Sequence, residues 1–236
     1  MSIPVLGVAI LNQPELLDRL MASIDHPVDR LVVIDNGDVI DPFIGGHRMT
    51  PYRAHVVKPG HNLGCAESWN LIIRANPLAP YWVITNHDIE FGPGDLARLE
   101  AAIEPRAAIV YHLLGFAAFA ITPPAIHAAG WFDGGFINGY DEDVDYSRRC
   151  ELAGVRRVEV GFSGSHVGSA TIHSDPDLRR WNGISHGAND AYYREKWGGD
   201  KLGGETFSTP WNSGRIQDTR PDINRLRDFT WPREKA

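Results

Sequence analysis

Residues 82–88 read Trp82-Val83-Ile84-Thr85-Asn86-His87-Asp88, a β-branched and aromatic run that breaks abruptly into a polar triplet. A short apolar run bounded by turn-forming residues is the pattern of a buried strand. Upstream the pattern recurs: residues 30–34 run into Asp35-Asn36-Gly37, and residues 54–57 lead to His61-Asn62-Leu63-Gly64. Strand-like runs at 4–10 and 107–111 extend the series. Between them, residues 14–24, 65–75 and 94–103 carry leucine and isoleucine at helical spacing, each opened by Pro, Gly or Asn. Strands alternating with helices predict an α/β fold whose central sheet is mostly parallel and flanked by crossover helices.

In such a sheet, ligands bind in the crevice beyond the carboxyl ends of the strands, so the residues that follow each strand carry the functional information. Asn, Asp and Gly are ordinary turn formers, but here they gather after three strands that share one sheet edge. The first strand is followed by Leu11-Asn12-Gln13-Pro14, and no G-x-G-x-x-G or G-x-x-x-x-G-K-[ST] is present. Neither a dinucleotide-binding Rossmann site nor a P-loop accounts for the pattern.

Farther along, residues 113–122 form a second apolar run, residues 123–129 a short helix with proline near its start, and the parallel pattern then breaks. Aspartate and glycine fill 133–145. A helix over about 144–153 stops at Gly154, a strand follows at 155–160, and 177–197 reads as another helix. From Gly198 onward the chain is rich in Gly, Pro and polar residues. The expected organisation is one domain over 1–200 with a C-terminal extension over 201–236.

The 236 residues, 43% of them hydrophobic, suffice for one sizeable core. A formal net charge of -7 opposes non-specific attraction to nucleic acid, which depends on clustered Lys and Arg. An anionic ligand would therefore be held locally, through a metal. The two cysteines, Cys65 and Cys150, have neither disulfide-framework nor zinc-type spacing, which fits a reducing setting. Residues 1–17 lack a basic leader and read as a first strand. Glu104, Pro105, Arg106 and His112 interrupt the apolar stretch 101–121, short of the roughly 20 apolar residues a membrane span needs. A soluble, cytoplasmic protein is the expectation, peripheral to a membrane where its acceptor is lipid-linked.

Taken together, Asp35-Asn36-Gly37, Asn62-Leu63-Gly64-Cys65-Ala66 with Asn70, and the stretch 82–88 resemble the nucleotide-binding half of family-2 GT-A glycosyltransferases. Gly130-Trp131-Phe132-Asp133-Gly134-Gly135-Phe136, then Asp141-Glu142-Asp143-Val144-Asp145 with Arg148, resemble the acceptor-side motif of the same enzymes. The likeness runs from residue 4 to about 170 and is greatest to the rhamnosyl- and galactofuranosyl-transferase branch, whose tail Tyr192-Tyr193-Arg194-Glu195-Lys196-Trp197-Gly198-Gly199 also resembles.

The resemblance implies a GT-A fold, with a nucleotide-sugar half at 1–112 and an acceptor half at 113–200. It implies inverting transfer of a hexosyl or deoxyhexosyl unit from a UDP-, dTDP- or GDP-sugar to a glycan, protein or small-molecule hydroxyl. Asp143 is the expected base and Glu142 its neighbour, with the two roles open to exchange. A cation, Mn2+ or Mg2+, would neutralise the departing diphosphate. Asp88 is its expected carboxylate ligand; Asn86 and His87 stand where the family commonly has acids, so His166 is the candidate second ligand and His173 the reserve. Asp35 is expected at the nucleobase, Asn62 and Gly64 around the nucleoside, and Asn36, Asn70, Asn86 and Gly115 as further donor-binding residues. The small residues near Gly115 either leave room for the donor sugar or belong to a buried strand. Trp131 and Phe132 either stack on an acceptor ring or form core. Two other classes fit the same sheet: a sugar-1-phosphate nucleotidyltransferase, which the loop at 11–14 disfavours, and a non-catalytic nucleotide-sugar or carbohydrate binder.

Overall fold

The computed structural model describes residues 2–40 and 53–208. In chain order the elements are β1 (Leu6–Ile10), α1 (Pro14–Ser23), β2 (Arg30–Asp35), β3 (Arg53–Val57), α2 (Gly64–Arg74), β4 (Trp82–Asn86), β5 (Ile89–Glu90), α3 (Asp95–Ala102), β6 (Ile109–Leu114), β7 (Ala118–Ile121), α4 (Pro123–Ala129), α5 (Glu142–Leu152), β8 (Arg156–Glu159), β9 (Ser165–His166), α6 (Ala170–His173) and α7 (Pro176–Trp197). Seven of the strands form one sheet in the order β3-β2-β1-β4-β7-β6-β8.

Strand alternation builds a core on each face of this sheet. Leu31, Val33 and Val83 point to the side covered by Leu17 and Leu20 of α1 and Leu96 and Leu99 of α3. Val32, Ile34, Trp82 and Ile84 point to the other side, against Trp69, Ile72 and Ile73 of α2, Ile126 of α4 and Tyr146 of α5. Burial on both faces explains why these strands read as continuous apolar runs rather than alternating ones.

β1 through β4 pair in parallel, with Ile10 beside Asp35 and Ala9 beside Asn86. The chain winds outward from β1 to β2 and β3, then returns to place β4 on the opposite side of β1. The crevice at their carboxyl ends is the topological switch point where α/β sheets bind ligands.

The apolar run 113–122 is divided between two strands. β6 ends at Leu114, Gly115 turns the chain at φ 50°, and β7 returns antiparallel to both β6 and β4. The sheet is thus mixed by one reversed strand. Helix α5 begins at Glu142, ahead of the expected start near 144, so Glu142 and Asp143 belong to its first turn. The pair β5–β9 and the one-turn α6 were not expected, because elements of two to four residues have no periodicity to read. Of the expected extension at 201–236, residues 209–236 lie outside the described residues. Among the described residues no helix is long and apolar enough to cross a membrane.

Candidate active site

A cavity of about 650 Å³ opens at the switch point. Its floor is made by Ile10 and Leu11 after β1 and by Asn86, His87 and Asp88 after β4. One wall comes from Asn62, Gly64 and Cys65 at the start of α2, a second from Glu142 and Asp143 at the start of α5, and the roof from His166, α6 and the first turns of α7. Among the described residues no Lys or Arg lines it.

Asp88 and His166 meet through the β5–β9 ribbon. Ile89 pairs with His166, the Val167 amide donates to the Asp88 carbonyl, and His166 Nε2 lies 3.2 Å from Asp88 Oδ1. A carboxylate and an imidazole this close fit as neighbouring ligands of one divalent cation. No group of three or more His, Cys, Asp or Glu capable of holding a metal is found among the described residues. A two-ligand site of this kind suits a cation that is completed by substrate phosphates. His173 is exposed on α6 and does not line the cavity. His87 does line it; burial holds its imidazole below the usual value against the opposing charges of Asp88 and Glu15, and its Nε2 has no hydrogen-bond partner.

The two acids at the start of α5 differ. Burial, and then the neighbouring Asp143 charge, push Glu142 up to about 8, and its Oε2 has no partner. Asp143 is also raised by burial, but the Val144 amide donates to its Oδ1 at 2.8 Å and Lys201 opposes the shift. Of the two, Glu142 is the carboxyl whose burial and charged neighbour favour the proton, the asymmetry expected when neighbouring carboxylates are costly to charge together. All three acids, Asp88, Glu142 and Asp143, line the cavity beside the half-buried Cys65 thiol. Burial and then the charges of Glu142, Asp143 and Asp88 drive it well above the ordinary thiol range.

Several expected site residues are brought together. Asn36 reaches the cavity while its amide donates to Ser68 and its carbonyl oxygen accepts from the Leu63 amide. Asn62 caps the Gly64 amide and donates to Asn138. Gly64 has φ 72°, and a Cβ there would lie 2.7 Å from the Asn138 carbonyl oxygen, so only glycine lets α2 approach the 138–140 loop this closely.

Other expectations need correction. Both Asp35 carboxylate oxygens accept backbone amides, from Val39 and Ile40, and the residue is 1% exposed, so it shapes a turn instead of facing a nucleobase. Asn70 is spent on a reciprocal pair of bonds with the Phe132 backbone, away from the cavity. Phe132 stacks on Tyr146 at 4.1 Å within an aromatic core that includes Trp69 and Phe119, which excludes it from acceptor contact. Trp131 lies under the Arg74 guanidinium at 4.8 Å and does not line the cavity. Gly115 forms the β6–β7 turn, while its neighbours Phe116 and Ala117 are the ones at the cavity.

What sequence reasoning missed is the support behind the α5 acids. Asn138, Tyr140 and Asp141 all have positive φ, at 62°, 75° and 72°. Asn189 of α7 holds this loop, donating to the carbonyls of Ile137, Gly139 and Tyr140 and accepting from the Ile137 amide. Below it, Lys196, fully buried, bridges Asp133 and Asp145, while Arg149 and Trp197 complete the shell of Asp145. The Asp145–Arg149 spacing of four along a helix was a usable signal. Lys196 gave none, because lysine on a helix ordinarily faces water.

No protein-family model matches the chain, and no curated protein matches it. Solved structures do. S. aureus TarS 1-349 superposes with a TM-score of 0.56 at 10% identity over 80% of this chain and 68% of that one. The same protein in complex with UDP-GlcNAc gives 0.55 at 11% identity over 80% and 70%. GalNAc-T7 with UDP, GalNAc and Mn2+ gives 0.56 at 11% identity over 69% of this chain and 44% of that one, so the chain spans less than half of its length. The fold is the GT-A glycosyltransferase fold. At these identities the likeness is one of architecture, and activity rests on the site.

Proposed function

We propose that this chain is an inverting glycosyltransferase that passes a hexosyl or deoxyhexosyl unit from a nucleotide-diphosphate sugar to an acceptor hydroxyl. The observation that carries the reading is the convergence of Asp88 and Asp143 on one cavity at the sheet switch point. Solved proteins of the same fold carry UDP, UDP-GlcNAc, or UDP with Mn2+, which supports a nucleotide-sugar donor and a divalent cation, Mn2+ or Mg2+. Membership of the rhamnosyl- and galactofuranosyl-transferase branch, a single catalytic domain over 1–200 and a cytoplasmic location belong to the same proposal.

A cation held by Asp88 and His166 would offset the charge of the departing diphosphate, a task no basic residue lining the described cavity can perform. Asn36, Asn62, Gly64 and Asn86 line the donor side. Asp143 accepts the acceptor's hydroxyl proton as that oxygen bonds to the anomeric carbon and the diphosphate leaves from the opposite face. Its raised proton affinity suits a base working near neutral pH. Glu142, protonated, offers a hydrogen bond in place of a second negative charge.

Thermal-shift screening of UDP-, dTDP- and GDP-sugars with Mn2+ identifies the donor, since a ligand bound only to the folded state raises Tm. With that donor, Asp143→Asn is expected to lower turnover by about 10²–10⁴-fold while the donor-induced rise in Tm persists. Wild-type turnover in the variant would remove Asp143 as the base.

A further inference from the structure

We infer that the α7 wall of the cavity is a binding subsite for an uncharged sugar ring of the acceptor, built on the exposed indole of Trp181. The inference rests on the glycosyl-transfer reading and adds the chemical class of the second substrate.

Leu178, Trp181 and Asn182 line the cavity from positions spaced three and four apart, so they form one face of α7. Trp181 is 63% exposed, whereas Trp69, Trp82 and Trp197 are at most 3% exposed. Its ring therefore serves no core, yet it belongs to the same cavity as Asp143. Tyr140, 39% exposed, lines that cavity too, with its hydroxyl 3.3 Å from Ser169 Oγ and its ring packed at 5.2 Å from His186 of α7. The cavity thus offers an exposed indole with the Asn182 amide next to it on the same helix, and the Tyr140 phenol elsewhere in its lining.

A pyranose ring has the matching surface, with a face of C–H groups for the indole and a rim of hydroxyls for polar partners. Charge narrows the class further. Asp143 lines the cavity and, among the described residues, no Lys or Arg does, so with the cation taken up by the donor diphosphate a phosphate or carboxylate on the acceptor ring would meet no positive partner.

The test is saturation-transfer NMR on the full chain with UDP and Mn2+ present. The probes are methyl gluco-, galacto-, manno- and rhamnopyranosides, with glucose 1-phosphate and methyl glucuronide as charged controls. At least one neutral glycoside is expected to receive saturation from the aromatic protons, to bind about tenfold or more weakly to Trp181→Ala, and to recover in part with Trp181→Phe. Circular dichroism confirms that each variant is folded. Equal binding by folded Trp181→Ala, or charged sugars binding as well as neutral ones, overturns the subsite. So does the absence of any glycoside signal from a wild-type protein that UDP and Mn2+ stabilise, an outcome that leaves the transferase reading standing. A Trp181-dependent glycoside signal with no response to any nucleotide upholds the subsite and removes the transferase reading instead.

Discussion

The two walls of the cavity are built by different means. On the side proposed for the donor, Asn36, Asn62, Asn86 and Asp88 follow the ends of parallel strands or open α2, and the sheet itself fixes them: Ala9 pairs with Asn86, and Ile10 with Asp35. On the side of the α5 acids, three successive non-glycine exceptions to ordinary backbone geometry, at 138, 140 and 141, lead into the helix that carries Glu142 and Asp143. Conformations of that kind cost about 1 kcal/mol or more each and persist only where their surroundings impose them. Here the surroundings are side chains arriving some 50 residues later in sequence, chiefly Asn189 and Lys196. One wall stands on backbone regularity, the other on a polar clasp, and damage to α7 should disable the second wall while sparing the first.

The largest effect is expected at Lys196. Burial tends to raise the Asp133 carboxyl, but the charge and hydrogen bond of Lys196 outweigh it and hold Asp133 below its ordinary value. Lys196→Ala would strand Asp133 and Asp145 in a dry interior, and breaking a buried pair by removing one partner costs about 3–5 kcal/mol. Urea unfolding should show a loss of that size. An unchanged midpoint would mean that the clasp carries little of the stability and that the contrast between the walls is overdrawn.

Asn189→Ala comes next. It leaves the Ile137 amide and three carbonyls without their side-chain partner, for an expected loss of about 2–3 kcal/mol, given that each buried polar group left unmet costs on the order of 1–3 kcal/mol. The informative readout is selective. Turnover should fall more than the Tm shift produced by donor and Mn2+, because the Asn62 wall meets this loop only through Asn138, whereas Glu142 and Asp143 follow directly from it. Equal loss of both would show the two walls to be one mechanical unit.

The same division explains what could be read from the sequence. The strand-end clusters at 35–37, 62–64 and 86–88 were legible because strand pattern and turn chemistry are local, and the α5 acids were legible as a cluster at a helix start. The pairing of Asp88 with His166 was anticipated from resemblance; its physical basis, the two-residue ribbon that sets Ile89 against His166, was not. Asn70 and Asp35 were expected at the ligand, and Phe132 was left open between acceptor and core, for a shared reason. Polar and aromatic residues beside a site serve equally well to build its frame, and only tertiary contacts reveal that Asn70 grips the Phe132 backbone or that Asp35 is spent on its own turn. Trp181 went unnoticed because one aromatic among the polar residues of a long helix gives no sign of the surface it faces.

Smallest when counted per pH unit, and the effect that reports directly on the α5 wall, is the pH dependence contributed by Glu142. Its folded-state value of about 8 lies above the unfolded carboxyl value near 4.5, so the folded state keeps a proton that the unfolded chain releases. The sign follows: this group costs nothing below about pH 4.5, destabilises the fold progressively as pH rises from there to about 8, and adds no further slope above that. Glu142→Gln keeps the shape and removes the titration. Unfolding free energies measured from pH 5 to 8 should therefore fall less steeply in the variant, by about 1.4 kcal/mol per pH unit. Parallel profiles for the two proteins would mean that Glu142 is ionised at neutral pH. The same profiles on Asp143→Asn would then decide whether that carboxyl holds a proton instead, which would make Glu142 the base.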